Sequence, residues 1–180
     1  MTGKQFAREV AKRLFAHEFG NSKTIEKSGT DEFEPRYIQT ELGDKVNRVF
    51  ICGTITEVEN VGKDDEIIRA RIVDPTGVFV IYASHYQLEA RADLEKIKVP
   101  EYVAIVGKVN AYSPSNGDTT ILSIRPESVG VIDERTRNHW VAETSRLTLE
   151  RVSASQASGT IKQQYIDLAN AAMISMETAS

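Results

Sequence analysis

The sequence predicts a mainly β protein, one small closed barrel of five strands with helices on either side of it. Three observations carry that prediction. Apolar residues alternate along five separate segments between about residues 47 and 124, which is the period of half-buried strands. A helical stretch interrupts them after the third strand, near Tyr86–Lys98. Glycines stand inside two of the strands, Gly53 and Gly107, where small barrels need sharp bends to close. Three meandering strands, a helix and two more strands are the order of an OB-fold. An SH3-like barrel, the main competitor, lacks the helix between strands three and four.

The elements follow in order. Residues 3–18 read as an amphipathic helix, with Phe6, Val10 and Leu14 at helical spacing beside Ala7, Ala11 and Phe15. It would pack on the barrel or dock a partner. Residues 21–45 are polar and irregular, an extended linker with an edge strand near Arg36–Gln39. The first barrel strand is expected at about Asn47–Glu59 and the second at about Glu66–Asp74. Asp74-Pro75-Thr76-Gly77 then supplies the residues a type I turn prefers. The third strand covers about Val78–Ser84, the fourth about Tyr102–Tyr112 and the fifth about Thr119–Ile124. A helix over 132–152 follows, with Asp133 suited to its N-cap. Ser153–Gly159 reads as a flexible linker, and 160–174 as a weak amphipathic helix with Ile161, Tyr165, Leu168 and Ala172 in register. The organisation is thus an N-terminal helix and linker (1–45), a barrel (46–131), a helix after it (132–152), and a linker with a last helix (153–180).

Composition points to binding rather than catalysis. The net charge is −4, so no general attraction to phosphates operates and nucleic acid could be held only by a local patch. Cys52 is the one cysteine, which excludes an internal disulfide and a cysteine-cluster zinc site; it reads as a small buried hydrophobe. His17, His85 and His139 fall on different elements without metal-ligand spacing, and no nucleophile elbow, P-loop or dinucleotide fingerprint occurs. The run Asp64-Asp65-Glu66 reads as a solvated charge cluster in a hairpin loop. No cofactor is expected. No apolar segment is long enough to span a bilayer and no signal-peptide core opens the chain, so a cytosolic protein is expected.

Several segments together resemble one family. They are Val46–Phe50 leading to Gly53–Val58; Arg69-Ala70-Arg71-Ile72-Val73-Asp74-Pro75-Thr76-Gly77; Val103–Lys108; Ser123-Ile124-Arg125-Pro126-Glu127; Trp140–Thr144; and, near the N-terminus, Ala11–Phe19. Their order and spacing resemble the smaller subunit of the archaeal replication protein A family, and more distantly the middle subunit of eukaryotic replication protein A. The resemblance thins after about residue 152. It implies a non-catalytic subunit of a complex that binds single-stranded DNA in replication, repair and recombination, with a larger OB-fold subunit as partner. It also implies that the helix after the barrel bundles with partner helices through Trp140, Val141, Thr144, Leu147, Thr148 and Arg151; the other reading packs Trp140 against its own barrel.

An OB barrel holds single strands on the face of strands two and three, combining positive charge with rings on which bases stack. Arg69 and Arg71, outward on strand two, and Lys108 on strand four are the candidate cations. Phe79, Tyr86 and Tyr112 are the candidate stackers, Tyr112 also by position in the resembling eukaryotic subunit, while Phe79 could equally be a covering residue under a loop. Tyr82 reads as core. The loop Glu59-Asn60-Val61-Gly62-Lys63-Asp64-Asp65-Glu66 is acidic and would repel phosphates, so affinity for single strands without the partner should be weak. An assembly module that binds protein and no nucleic acid, and a translation-related OB protein that binds structured RNA, are the other readings.

Overall fold

The computed structural model describes residues 9–25, 35–64, 66–113 and 119–178. Five strands form a closed barrel: β4 (Arg48–Asn60), β5 (Ile68–Asp74), β6 (Gly77–Ala83), β7 (Glu101–Tyr112) and β8 (Ile121–Val131). Around the barrel they run β4-β5-β6-β8-β7. All pairings are antiparallel except β6 with β8, which is parallel and registered at Ile81 with Ile124. Helix α2 (Leu88–Lys96) lies between β6 and β7 in sequence, as the sequence pattern predicts for an OB-fold. Inward residues alternate along each strand. Ile51, Ile55, Ile72, Phe79, Ile81, Val103, Ile105 and Ile124 are all fully buried, so the barrel interior is filled by branched side chains and one ring.

Closure rests on two close crossings. A Cβ on Gly53 would lie 2.5 Å from the Val73 carbonyl oxygen and 2.8 Å from Ile72 Cγ2. A Cβ on Gly107 would lie 2.6 Å from Ile124 Cγ2, and still nearer the Arg125 carbonyl oxygen. Each glycine lets β4 or β7 bend over the backbone of its neighbour. At the second crossing the register of β7 with β8 shifts between Val106 and Gly107, and Gly107 faces Pro126. A bulge is where a strand tolerates proline. This is why β8 continues to Val131, whereas the sequence suggests an end near Ile124.

The N-terminal segment differs from expectation. Residues 9–15 are not helical. Lys12 bridges to Val49 in parallel, its N–H donating to the Arg48 carbonyl at 2.9 Å and its carbonyl accepting from the Phe50 N–H at 3.0 Å. The first residues of β4 are not paired with β5, whose ladder begins at Thr54, and the N-terminal chain takes up those free groups. Helix α1 is confined to Ala16–Gly20. The Asp74 carboxylate fixes its start, accepting from the Ala16 N–H at 2.7 Å, and also ties the β5–β6 turn through Thr76 and Gly77. Burial pushes the Asp74 carboxyl above its ordinary range, against the lowering effect of those donors. The remainder of the predicted helix, residues 3–8, lies outside the described residues. The polar 21–45 stretch contributes a small antiparallel sheet, β1 (Lys23–Thr24), β2 (Ile38–Gln39) and β3 (Lys45–Val46).

Helices α3 (Glu134–Ala154) and α4 (Gly159–Glu177) close the fold. Asp133 caps α3 by accepting from the Thr136 N–H at 2.8 Å, and Ser158 caps α4 by accepting from the Ile161 N–H at 3.3 Å. α4 turns back on α3, burying Tyr165, Ala169 and Ala172. An ionic cluster joins three parts of the chain. The Arg151 guanidinium donates to both Glu18 carboxylate oxygens at 2.5 and 2.6 Å and to Asp44 at 2.9 Å. The Glu18 side chain is 1% exposed. Burial opposes the Arg151 charge, but the two carboxylates outweigh it and hold the guanidinium above its ordinary pKa. Cys52 is buried, and burial pushes its thiol up to about 12.

Two substitutions test this architecture. Gly107→Ala should lower stability to urea by about 1–3 kcal/mol, the cost of forcing atoms into a filled space. Gly130→Ala, where a Cβ meets nothing within 4 Å, should leave it nearly unchanged; equal effects would contradict the close crossing. Arg151→Met strands the buried Glu18 carboxylate and should cost about 3–5 kcal/mol in the same measurement. A loss below about 1 kcal/mol, the range of exposed ion pairs, would show that Glu18 is not held as described.

Candidate nucleic-acid interface

Strand registers decide which side chains share the outer surface. Across β5 and β6, Arg69 faces Tyr82, Arg71 faces Val80, Ile72 faces Phe79 and Val73 faces Val78. Ile72 points inward, so Phe79 does too. Phe79 is 0% exposed and packs against Phe19 with ring centroids 5.7 Å apart. It is core, not a stacking platform, and Tyr82 takes the outward, half-buried position, whereas the sequence pattern suggests the interior for it. The parallel register of Ile81 with Ile124 makes Tyr82 and Arg125 neighbours, one residue further on. Across β7 and β8, Lys108 faces Arg125, Asn110 faces Ser123 and Tyr112 faces Ile121. Arg69, Tyr82, Arg125 and Lys108 therefore form one band across four strands.

The charges along the band are not equivalent. Arg69 is ion-paired with Glu59 and lies 3.9 Å from Glu57; Arg71 lies 3.8 Å from Glu57. Both glutamates sit on β4 directly opposite these arginines, Glu57 with Arg71 and Glu59 with Arg69. The β5 end of the band is thus neutralised by its own neighbour strand. Half-exposed pairs of this kind contribute about 0–1 kcal/mol, so a phosphate can displace the carboxylate, but no net positive field draws it there. The β4–β5 loop is also partly self-paired, Glu66 meeting Arg91. At the other end, Arg125 donates to Asn110 Oδ1 at 2.8 Å. Among the described residues neither Arg125 nor Lys108 has a carboxylate partner.

The tyrosines lie toward the two ends of this surface. Tyr86 is 82% exposed, with its ring against His85 at 4.0 Å. Tyr112 is 62% exposed on the last residue of β7. With Ile121 opposite it and the exposed pair Val73 and Val78, it adds apolar area to the same side of the barrel.

The expected partner-binding residues are in a different place. Trp140 is buried, donates from Nε1 to the Phe50 carbonyl at 3.0 Å and meets the Phe15 ring edge-on at 5.6 Å. Val141, Thr144 and Thr148 are buried, and Arg151 is committed to Glu18 and Asp44. Only Leu147 of the six is half-buried without an ion pair or an apolar cluster around it. The stripe on α3 is real, but the barrel, the N-terminal segment and α4 cover it in cis. The sequence pattern identifies an apolar stripe without saying which surface meets it.

No residue cluster suited to a metal ion occurs among the described residues, and no helix among them is long and apolar enough to cross a membrane. No protein-family description matches this chain, and no curated protein resembles it in sequence. Solved structures do resemble it. The S. pombe Stn1–Ten1 complex contains a chain that superposes with a TM-score of 0.59 at 12% identity, over 77% of this chain and 91% of that one. Weaker matches include the second single-stranded-DNA-binding protein of Mycobacterium smegmatis (TM-score 0.40, 13% identity, 50% of this chain and 90% of that one). Another is the asparaginyl-tRNA synthetase of Pyrococcus horikoshii (0.38, 16%, 59% and 31%).

The exchange of roles between Phe79 and Tyr82 predicts a clean contrast. Phe79→Ala should lower stability by about 3–5 kcal/mol. Tyr82→Ala should cost much less in urea unfolding; a larger loss at Tyr82 would reverse the assignment of faces. Taken together, the strand order, the helix between the third and fourth barrel strands and the superposition make the chain an OB-fold protein with flanking helices.

Proposed function

We propose that this chain is a non-catalytic subunit of a complex that binds single-stranded DNA, of the replication protein A type, with the outer face of the barrel as the strand-binding surface. The observation that carries the reading is the band Arg69–Tyr82–Arg125–Lys108, flanked by the exposed rings of Tyr86 and Tyr112. Alternating cations and aromatic faces suit a backbone of phosphates with unstacked bases. A strand-binding site of this kind needs only an open surface of cations and rings. The likeness to a chain solved within the Stn1–Ten1 complex supports a protein that works in a complex, as does the family resemblance of the sequence. The neutralised arginines on β5 support weak affinity without a partner, and a larger OB-fold subunit would supply the remainder.

One observation favours a second reading. Val73, Val78, Ile121 and Tyr112 leave apolar area exposed on the barrel, which suits a protein surface as well as a nucleic acid. In that reading the chain is an assembly module that touches no nucleic acid. Tagging the protein in its native cells, treating the extract with nuclease and weighing what co-purifies distinguishes them. The proposal expects a larger multi-OB protein in fixed ratio, and a recovered complex whose affinity for single-stranded DNA falls steeply with salt. Recovery of the chain alone, or of a complex that ignores single strands, contradicts it.

A further inference from the structure

The path of the strand can be placed more closely, on the footing of the strand-binding reading above. Lys108, Arg125, Tyr86, Leu88, Glu89 and Glu127 line one open cleft between the β7–β8 surface and the start of α2. Its charge balance differs from that of the β5 face. Glu127 is held by the Arg48 guanidinium at 2.7 Å, with a second hydrogen bond at 3.3 Å. That leaves Lys108 and Arg125 against the carboxylate of Glu89 on the exposed first turn of α2. Asn110 holds the Arg125 guanidinium from behind, and Arg125 and Lys108 are cross-strand partners. The two cations are thus presented side by side on a rigid ladder. Tyr86 stands at the rim with one face open and the other backed by His85.

We infer that this cleft is a nucleotide subsite, in which a phosphodiester of the single strand lies between Lys108 and Arg125 and its base stacks on Tyr86. The strand then runs from Tyr82 across β8 and β7 toward α2, instead of lying mainly over β5, where Arg69 and Arg71 are already occupied by Glu57 and Glu59. Among the described residues Lys108 and Arg125 form no ion pair, so a guanidinium and an ammonium offer a phosphate its charge partners without first breaking one. The open ring supplies a stacking surface that tolerates any base.

The test uses the full chain and a fluorescent oligodeoxythymidylate of about 12 nucleotides, within the usual site size of such barrels. Anisotropy is followed from low to moderate salt. The double variant Lys108→Gln, Arg125→Gln should flatten the salt dependence by about 1.4 in log–log slope, ~0.7 for each phosphate no longer neutralised. Tyr86→Ala should weaken binding between about five- and 150-fold at fixed salt. Arg71→Gln should change the slope little. All four side chains are exposed, and a thermal melt confirms that each variant is folded. If Arg71→Gln flattens the slope while the double variant leaves it intact, the cleft is not the subsite, although strand binding stands. If the unmodified chain gives no anisotropy change at low salt, the strand-binding reading falls and the cleft with it.

Discussion

The barrel depends on two places where backbone passes over backbone too closely for a side chain. At Gly53 and Gly107, β4 and β7 bend across β5 and β8 with no room for a Cβ. Without those bends a five-stranded sheet with the right-handed twist of natural strands would stay open along one edge. Closure brings β6 alongside β8 in parallel, although the two are separated in sequence by α2 and β7. That single pairing places Tyr82 next to Arg125 and makes a continuous outer band from two hairpins. The same bend at Gly107 accommodates Pro126 opposite it, so β8 can extend far enough to lead into α3.

Charge on this surface is arranged against itself. Glu57 and Glu59 neutralise the arginines of β5 from the neighbouring strand, and Arg48 neutralises Glu127 on the far side. What remains uncompensated is small and local, in keeping with a chain whose net charge is −4. A surface of this kind has no long-range pull on a polyanion, so its cations count only once something else has brought the strand near. A larger partner does that in the function proposed above. The buried ions follow another logic. Glu18, Asp44 and Arg151 meet because α1, the small sheet and α3 converge, and each carboxylate satisfies a guanidinium that burial would otherwise penalise.

Much of the fold is legible because strands announce themselves by period. The alternation of Val49, Ile51 and Ile55, or of Ile68, Ala70 and Ile72, is retained in the burial of those residues. The Asp74–Gly77 turn is legible from its residue types, and in principle so is the register it imposes: a two-residue connection that pairs Asp74 with Gly77 pairs Ile72 with Phe79 and Arg69 with Tyr82. Carrying that pairing five steps along the hairpin sets Tyr82 outside and Phe79 inside. Arg125 is harder to reach. Its register with Lys108 is set across the whole connection between Tyr112 and Ile121, and its neighbourhood with Tyr82 requires the parallel β6–β8 pairing. Local sequence encodes neither. The N-terminal segment misleads for a physical reason: its apolar spacing suits a helix, but the free start of β4 competes for its backbone, and Lys12 is drawn into the ladder. On α3 the stripe of Trp140, Thr144 and Thr148 is visible, whereas its cover by α4 and Phe15 depends on a chain reversal that Ser153–Gly159 permits but does not specify.

The central claim is that the outer band of the barrel meets a single strand along Tyr82, Arg125 and Lys108. Backbone amide chemical shifts of the isotope-labelled full chain, recorded while oligodeoxythymidylate is added, test it most directly. The account predicts that the largest shifts fall on β6, β8 and β7 around Tyr82, Arg125 and Lys108 and on the start of α2 at Tyr86. Shifts confined to α3 and α4, or no shifts at all at low salt, would contradict it.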